Sequence, residues 1–387
     1  MKIPVDPLPH VRISGTSREC GVSLGNTIRN RIEHSLRTYQ RTFELCDMSW
    51  AAATDKASGC REIVEQYCPH LLAELEGLAD GSGIDEESLF TLNCRTEILP
   101  SNFLARAMAK DTTDNHSVNS TNKQQSRNSN NLQANECTSF AFTTEQSSVW
   151  LAQNWDWVGM QRNALAVVES RQPDRPAHIT VTEAGMLAKI GINDKGLGIT
   201  LNILRSHDDG HQPGMPVHFL LQALLDCSSV QEACDFASSL PFASSSNVMI
   251  AQSAGSDRDA EIASIELSPE GCRILRSTDG TLCHTNHFLH PELTAKDAGL
   301  EGNGSTIRRL ERAQTGIAEL SGMNDIKNLL SDTSDGAESI CRFPDSLLPE
   351  IAQIETVVGV AMDLADKTLW VTGAQPSISE FIEHRLE

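Results

Sequence analysis

The chain has little positive charge and no long apolar run. Its 387 residues include 31 Lys and Arg against 52 Asp and Glu, which gives a formal net charge of −21. Because such a charge repels phosphate groups at long range, it argues against a nucleic acid or an anionic membrane as a partner. No stretch of about 18 apolar residues occurs, so the sequence predicts no membrane-spanning helix. The first residues lack the apolar core of a signal peptide, and we expect a cytoplasmic protein.

Paired cysteines are also missing. The 11 cysteines are an odd number and none belongs to a Cys-x-x-Cys pair, which predicts reduced thiols rather than a disulfide framework or a zinc site. His284 and His287 stand close together, but two histidines alone do not make a zinc site. Cys283 and His284 are neighbours in a predicted strand and point to opposite faces, so they do not form a thiol–imidazole pair. We therefore predict neither a metal site nor a cofactor.

The first third of the chain has a helical pattern. One amphipathic helix is predicted by aliphatic residues that recur every four positions: Leu24, Ile28, Ile32 and Leu36. Residues 60–78 are helical on both sides of Pro69, and Asp85 caps a further short helix. Residues 109–134 then consist mainly of Asn, Ser, Thr, Gln, Asp and Lys. This composition buries too little apolar surface to order itself, so we predict a disordered linker there.

Beyond residue 137 the pattern changes to short β-prone runs separated by tight turns. The predicted strands are 164–170, 178–183, 187–192, 198–204, 248–251, 260–267, 271–276, 282–285, 356–364 and 368–372. Between them, one or two helices are predicted over 216–240, and two more at 305–320 and 325–330. Sequential strands joined by tight turns imply antiparallel sheets, and this order of elements does not fit alternating βαβ units. An α+β protein with two sheets packed face to face and helices on both outer sides, an αββα sandwich, accommodates it.

A predicted hairpin follows the linker directly. Residues 140–144 and 150–157 are β-prone runs joined by a polar turn, and Cys137 stands where the linker becomes a buried strand. This position suits a cysteine that becomes a chain terminus by cleavage of the bond between Glu136 and Cys137. The freed α-amine has an unperturbed pKa of about 7.7 to 8.0, so at neutral pH it can take the proton from its own thiol. One residue would then supply both nucleophile and base.

Several ordered motifs resemble one family. They are Cys-Thr-Ser at 137–139, Gln-Asn-Trp-Asp at 153–156, Thr-Leu-Asn at 200–202, His-Thr-Asn-His at 284–287 and Ser-Ile-Cys-Arg at 339–342. Over nearly the whole chain they resemble the N-terminal-nucleophile (Ntn) hydrolases of the acyl-CoA:6-aminopenicillanic acid acyltransferase family. These proteins are also called isopenicillin N acyltransferases and are related to C45 peptidases. The resemblance implies the αββα fold and self-cleavage.

The resemblance also implies how the chain is divided. Residues 1–136 would form a helical α-chain that ends in the linker, and residues 137–387 a β-chain with the sheet core. The two chains would form an α/β heterodimer and a single Ntn domain. Arg95 and Glu97 lie in an Asn-x-Arg-Thr-Glu segment that is similar to the family's α-chain. They are interpreted either as family site residues or as a structural ion pair.

Three catalytic residues follow from the resemblance. Cys137 is the expected nucleophile, Asp156 the carboxylate that orients the new amine, and Asn202 the neutral donor of the oxyanion hole. The expected substrate-binding residues are Thr138, Trp155, Ser339 and Arg342. Arg342 would face a substrate carboxylate or the phosphates of CoA. Glu136 and Cys137 form the expected cleavage site, where Glu136 stands in place of the family's Gly.

The implied function is acyl transfer by a cysteine enzyme. The acyl group would come from a thioester such as acyl-CoA, or from an amide, and pass to the amine of a small peptide-like or β-lactam-type metabolite, as in secondary metabolism. A polyanionic donor would need a local basic pocket in so acidic a chain. Two alternatives stay open: an amidohydrolase of small N-acyl amides, and an uncleaved, non-catalytic binding homologue. The chain ends in Arg385-Leu386-Glu387, which lacks the peroxisomal tripeptide.

Overall fold

The computed structural model describes residues 7–114, 137–145, 147–256, 258–300 and 304–386. The helices are α1 (Ser17–Leu45), α2 (Trp50–Ser58), α3 (Arg61–Tyr67), α4 (Pro69–Ser82), α5 (Glu86–Asn93), α6 (Arg95–Ile98), α7 (Phe103–Asp114), α8 (Val217–Leu225), α9 (Val230–Ser238), α10 (Gly304–Ile317) and α11 (Met323–Leu330). The predicted amphipathic helix is confirmed as α1, and the helical stretch around Pro69 as α3 and α4. α1 begins at a capping box in which Thr16 and Glu19 satisfy each other's backbone N–H groups.

Glycines bring α1 and α4 into close contact. Gly21 and Gly25 lie one turn apart on α1, and Gly77 and Gly81 lie one turn apart on α4. A Cβ atom at Gly21 would lie 2.0 Å from a carbonyl oxygen of α4, and one at Gly81 would lie 2.2 Å from a carbonyl oxygen of α1. Since such contacts leave no room for a side chain, the closeness of this helix pair depends on glycine at these positions.

The strands form two sheets in the described part of the chain. They are β1 (His10–Ser14), β2 (Thr138–Thr143), β3 (Val149–Val158), β4 (Leu165–Arg171), β5 (His178–Glu183), β6 (Ile190–Asn193), β7 (Leu197–Ile203), β8 (Ser246–Gln252), β9 (Glu261–Ser268), β10 (Gly271–Arg276), β11 (Thr281–His284), β12 (Ile354–Asp363), β13 (Thr368–Thr372) and β14 (Phe381–Arg385). The large sheet has the order β1-β4-β5-β6-β7-β8-β9-β10, and the small sheet the order β11-β2-β3-β12-β13-β14. Neighbouring strands are antiparallel except β1 and β4, which are parallel.

The two sheets pack face to face. β2 and β3 of the small sheet contact β7 and β8 of the large sheet. The Gln153 side chain on β3 accepts the backbone N–H of Leu201 on β7 at 3.1 Å and donates to its carbonyl oxygen. α8 and α9 pack on the large sheet, and α10 and α11 pack on the small sheet. The predicted αββα sandwich is therefore confirmed.

The prediction of disorder for residues 109–134 is wrong at its beginning. α7 continues to Asp114, and the Lys110 ammonium donates to the carbonyl oxygen of Glu44 at 2.9 Å, which ties the helix to the end of α1. The buried Phe103 and Leu104 anchor this helix upstream of the polar stretch, so composition alone did not reveal it. Residues 115–136, which include the rest of the predicted linker and Glu136, lie outside the described residues.

The length and hydropathy of the helices bear on membrane insertion. Within the described ranges, none of them is both long and apolar enough to cross a bilayer.

Candidate active site

Cys137 lies immediately before β2, with its side chain enclosed between the two sheets. The residue is 5 % exposed, and its thiol donates to the backbone carbonyl oxygen of Asp156 at 3.9 Å. Burial and the neighbouring Asp156 carboxylate raise the pKa of the thiol to about 11. A thiol in this state is a poor nucleophile at neutral pH, because the reactive species is the thiolate.

Asp156 is a buried carboxylate with one oxygen unsatisfied. It lies on β3 opposite Thr356 of β12, whose hydroxyl donates to Oδ1 at 2.6 Å. The register shifts by a β-bulge directly after Thr356, a distortion that is common beside active sites. The other oxygen, Oδ2, is buried and has no hydrogen-bond partner among the described residues. Burial raises the pKa of Asp156 to about 8.

The Asn202 amide on β7 points at the main chain of Cys137. Its Nδ2 donates to the Cys137 carbonyl oxygen at 3.2 Å and to the His284 carbonyl oxygen at 3.4 Å. Its Oδ1 accepts the Ser139 hydroxyl at 2.5 Å and the Asn247 amide at 3.3 Å, and these bonds fix the orientation of the amide. The structure thus brings together the three residues that the sequence assigned to catalysis.

Arg309 also reaches this site, and sequence reasoning missed it. The guanidinium on α10 is fully buried; Nη1 donates to the Cys137 carbonyl oxygen at 2.7 Å and to the Thr138 hydroxyl at 3.0 Å. Nη2 donates to Oδ1 of Asn286 at 3.1 Å. Burial lowers the pKa of Arg309 to about 10, while Asp156 and Cys137 act in the opposite direction. The adjacent Arg308 is exposed, so an Arg-Arg pair on a polar helix gave no signal that one member faces the core.

Two of the four predicted substrate-binding residues, Thr138 and Arg342, form hydrogen bonds with residues at the site. Thr138 accepts Arg309, as described above. A third, Ser339, instead accepts the backbone N–H of Asp335 at 2.9 Å. The backbone N–H of Arg342 donates to the Thr356 hydroxyl at 2.9 Å, so the Ser-Ile-Cys-Arg segment lies beside Asp156.

The fourth predicted substrate-binding residue, Trp155, belongs to a buried polar cluster. The Lys189 ammonium lies 3.6 Å from the centre of its ring and 3.5 Å from Glu183 Oε1. Burial lowers the pKa of Lys189 to about 7, and Glu183 partly offsets the effect. Glu183 also accepts the Tyr39 hydroxyl at 2.7 Å, and that hydroxyl accepts the Trp157 indole N–H at 2.9 Å.

Arg95 completes this cluster, and the ion pair with Glu97, one of the two interpretations of the sequence, does not form. Arg95 pairs with Glu183 at 3.2 Å and not with Glu97, which lies two residues further along the chain. Glu97 instead accepts the backbone N–H of Val217 at 3.0 Å and the Ser244 hydroxyl at 3.2 Å. Arg95 and Glu97 are near neighbours in sequence, which suggested a local ion pair. In the fold, Arg95 on α6 pairs with Glu183 on β5, and this ion pair links the two predicted chains.

Loss of Arg95 is expected to destabilise the fold strongly. In a Cys137→Ala background, Arg95→Met should lower the free energy of unfolding by about 3–5 kcal/mol, because it leaves the fully buried Glu183 carboxylate without its main cation. The control is Arg12→Met, which removes the 73 % exposed partner of Glu169 and should cost less than about 1 kcal/mol. Denaturant titration followed by circular dichroism measures both. Equal losses of unfolding free energy in the two variants would show that the buried ion pair stabilises the fold no more than the exposed one.

A cavity of about 850 Å³ lies between the N-terminal helices and the loop that follows β7. Its wall includes Thr96, Glu97, Arg205, Asp209, Pro213 and Ser244. Thr138, Trp155, Ser339 and Arg342 are not among the described residues that line it. Sequence reasoning therefore did not identify this space. Its polar residues are dispersed along the chain and meet only in the fold.

Histidine and cysteine side chains do not form a metal centre in the described residues, where no group of three or more potential ligands occurs. His284 is buried and contacts Glu266 Oε1 at 2.8 Å, and His287 contacts the Thr306 hydroxyl at 2.9 Å. His284 therefore connects β11 to β9, and His287 connects the loop after β11 to α10. All 11 cysteines lie in the described ranges and are free thiols.

A family model decides the identity of the chain. The family described as acyl-coenzyme A:6-aminopenicillanic acid acyl-transferase matches residues 143–377. The chain belongs to this family. It is an enzyme of the N-acyltransferase or amidohydrolase type, and the resemblance of its motifs to the acyltransferase family is confirmed.

One relative and two solved structures are also similar to this chain over part of its length. The 40 kDa form of acyl-coenzyme A:6-aminopenicillanic-acid-acyltransferase from Emericella nidulans is 25 % identical over 284 residues, which are 72 % of this chain and 69 % of that protein. Penicillin V acylase from Agrobacterium tumefaciens has 17 % identity and a TM-score of 0.43, covering 65 % of this chain and 86 % of its own. A mutant conjugated bile acid hydrolase from Clostridium perfringens has 14 % identity and a TM-score of 0.38, covering 65 % and 97 %.

Proposed function

We propose that this acyltransferase-family chain cuts itself before Cys137 and then uses Cys137 to carry an acyl group to the amine of a small acceptor. The observation that carries the proposal is the convergence of Cys137, Asp156 and Asn202 at the start of β2, in a chain whose family transfers acyl groups. The two products, residues 1–136 and 137–387, would stay together as a heterodimer.

Self-cleavage is proposed to begin with attack of the Cys137 sulfur on the carbonyl carbon of residue 136. A C–S bond forms, the C–N bond to Cys137 breaks, and the proton of the thiol passes by way of Asp156 to the new α-amine. Water then hydrolyses the thioester, which leaves a carboxylate on residue 136 and a free Cys137 thiol. Asp156 Oδ2, which has no partner among the described residues, supports a role for this carboxylate as acceptor of the thiol proton and later of a hydrogen bond from the amine.

The rate of self-cleavage should depend on the protonation of Asp156. Because burial raises its pKa to about 8, the carboxylate is mostly protonated at pH 6 and mostly ionised at pH 9. Only the ionised form accepts a proton, so the rate should rise about tenfold per pH unit below about pH 8 and level off above it. The measurement refolds denatured precursor at pH 5, shifts the pH, and follows cleavage by intact mass.

Two variants make this test specific. Asp156→Asn should lose the inflection and cleave slowly at every pH. Glu74→Gln removes a different buried carboxylate, whose pKa burial raises to about 7 and which accepts Gln172 rather than any active-site group, so it should keep the wild-type profile. A wild-type rate that does not change with pH, or an inflection that survives in Asp156→Asn, would exclude Asp156 as the base.

Acyl transfer is proposed to proceed in two steps. The Cys137 thiolate attacks a thioester or amide donor, an S-acyl enzyme forms, and the leaving thiol or amine takes the proton that the α-amine of Cys137 had received. The acceptor amine then attacks the S-acyl carbon, which forms the new amide and restores the thiol. Asn202 would stabilise the oxyanion in both steps by exchanging its longer bond, the one to His284, for the substrate oxygen.

The acceptor has to outcompete water for the acyl enzyme. Binding in an oriented position supplies this advantage as a high effective concentration. The experiment supplies acyl-CoA or an N-acyl amide with and without amines such as amino acids or 6-aminopenicillanic acid, and compares N-acyl product with free acid. N-acyl product would support transfer. Free acid alone from every donor would make the chain an amidohydrolase, and unchanged donor with uncut protein would favour a binding homologue.

A further inference from the structure

Cys60 and Cys94 are two neighbouring thiols in the helical first part of the chain. Cys60 lies between α2 and α3, and Cys94 lies between α5 and α6. Arg61, next to Cys60, donates to Glu86 at 2.8 Å and lies 4.5 Å from the centre of the Phe90 ring, one turn before Cys94. These contacts hold the two segments together, and the Cys94 thiol donates a hydrogen bond to the Cys60 sulfur.

The two thiols differ in their access to solvent. Cys60 lines the 850 Å³ cavity, whose wall also includes the exposed residues Lys56, Asn102 and Gln212, so a small molecule can reach the Cys60 sulfur from outside. Cys94 is fully buried and is not among the described residues that line the cavity. The three residues assigned to catalysis do not line it either, so a reaction at Cys60 is separate from one at the active site.

The surroundings of Cys60 favour its thiolate. The hydrogen bond from Cys94 lowers the pKa of Cys60 to about 7 against the effect of burial, and the backbone N–H of Gly214 adds a second donor. A Cβ atom at Gly214 would lie 2.2 Å from the backbone nitrogen of Ala243, so only glycine fits where this N–H is held. Glu97 lies near Cys60, but burial raises its pKa to about 8, so its carboxyl is largely uncharged at neutral pH.

Cys94 keeps its proton beside this thiolate. Burial and the hydrogen bond to Cys60 raise the pKa of Cys94 well above its ordinary value. In the uncut chain burial also raises the pKa of Cys137, to about 11. Since thiolates are the species that oxidants attack, Cys60 is the more reactive of these three sulfurs at neutral pH. A sulfenic acid formed on Cys60 would meet the Cys94 thiol at once, as a resolving cysteine.

We propose that Cys60 and Cys94 are a peroxide-sensitive dithiol that closes reversibly to a disulfide. The Cys60 thiolate attacks hydrogen peroxide; an S–O bond forms, the O–O bond breaks, and the departing hydroxide takes a proton to become water. The Cys94 sulfur then attacks the Cys60 sulfur; an S–S bond forms, the S–O bond breaks, and the oxygen leaves as a second water with the Cys94 proton. The peroxide accepts the two electrons that the sulfurs lose.

Cys272 provides the comparison that separates reactivity from exposure. It is partly exposed, whereas the other ten cysteines are buried. Reduced wild-type protein at neutral pH is treated with equimolar hydrogen peroxide, its remaining thiols are alkylated, and its peptides are identified by mass spectrometry. We expect the peptides of Cys60 and Cys94 to be joined, with the loss of two hydrogen atoms, and to separate again with dithiothreitol. Cys60 should react at least about tenfold faster than Cys272.

Three variants assign the two steps. Cys94→Ser should stop at a sulfenic acid on Cys60, which dimedone traps, and Cys60→Ser should leave Cys94 reduced. Cys272→Ser should form the disulfide as the wild type does. Circular dichroism reports whether each variant folds, and the wild-type map stands without them. Oxidation of Cys272 ahead of Cys60, or a lasting sulfenic acid on Cys60 in the wild type, would overturn the proposal.

This inference does not depend on the proposed acyl transfer, because its readouts use no acyl donor. Cys137→Ala should form the same disulfide between Cys60 and Cys94 at the wild-type rate. Loss of the disulfide in Cys137→Ala would show that it arises by exchange with the active-site thiol, which would overturn the proposal. Failure of acyl transfer or of self-cleavage would leave the peptide map unchanged.

Discussion

Cys137→Ala is expected to yield one uncut chain of 42.2 kDa and no turnover. The substitution removes the atom that attacks both the peptide bond before residue 137 and the acyl donor, so both reactions should fall by a factor on the order of 10⁴–10⁶. Cys137→Ser should cleave slowly and lose most turnover, because an alkoxide is harder to form than a thiolate. Intact mass and product formation measure the two effects separately.

The matched control is Cys283→Ala. Cys283 is another buried thiol, on β11 beside β2, and burial raises its pKa to about 12. It lacks contact with the Cys137–Asp156–Asn202 group in the structure, so the variant should cut itself and turn over as wild type does. Cleavage between residues 136 and 137 that persists in Cys137→Ala would refute self-processing by this thiol.

Asn202→Ala is expected to lower kcat by roughly 10²–10³ with little change in KM, because an oxyanion donor acts mainly in the transition state. Two further residues support the Asn202 amide through hydrogen bonds, and the more distant of them provides a control variant with a smaller expected effect. Asn247 donates to Asn202, and Ser264 donates to Asn247, so Ser264→Ala removes a support two bonds away and should cost less than about tenfold. Cleavage into two chains reports whether each variant folds. Unchanged turnover in Asn202→Ala would remove this residue from the site.

The strands of the sheet core follow from their sequence patterns because their residues alternate or run continuously in β-branched and aliphatic types. β5, β10 and β13 have the predicted bounds, and most others differ by one to three residues at an end. β1 and β14 were not predicted. β14 carries exposed charged residues that interrupt an apolar pattern, and β1 pairs with β4, which lies far away in the chain. A local pattern contains little information about so distant a neighbour.

Some residues of the candidate site were predicted from the sequence, and others were not. Cys137, Asp156 and Asn202 were predicted to share a site because they stand in ordered motifs that resemble the family, whereas Arg309 was not. An arginine in a polar helix is normally exposed, and only the fold shows that Arg309 is buried. The partner of Arg95 was missed for a related reason, because Glu183 lies on β5, far away in sequence. Long-range pairing of buried charges is the information that the sequence pattern did not contain.

The most direct measurement is the intact mass of purified wild-type protein under denaturing conditions, before and after incubation with an acyl donor. We expect two chains, residues 1–136 and 137–387, whose masses sum to that of the precursor plus one water. After incubation, the second chain should gain one acyl group on Cys137 and lose it again when an amine acceptor is added. A single uncut chain that gains no acyl group would refute both self-cleavage and acyl transfer by Cys137.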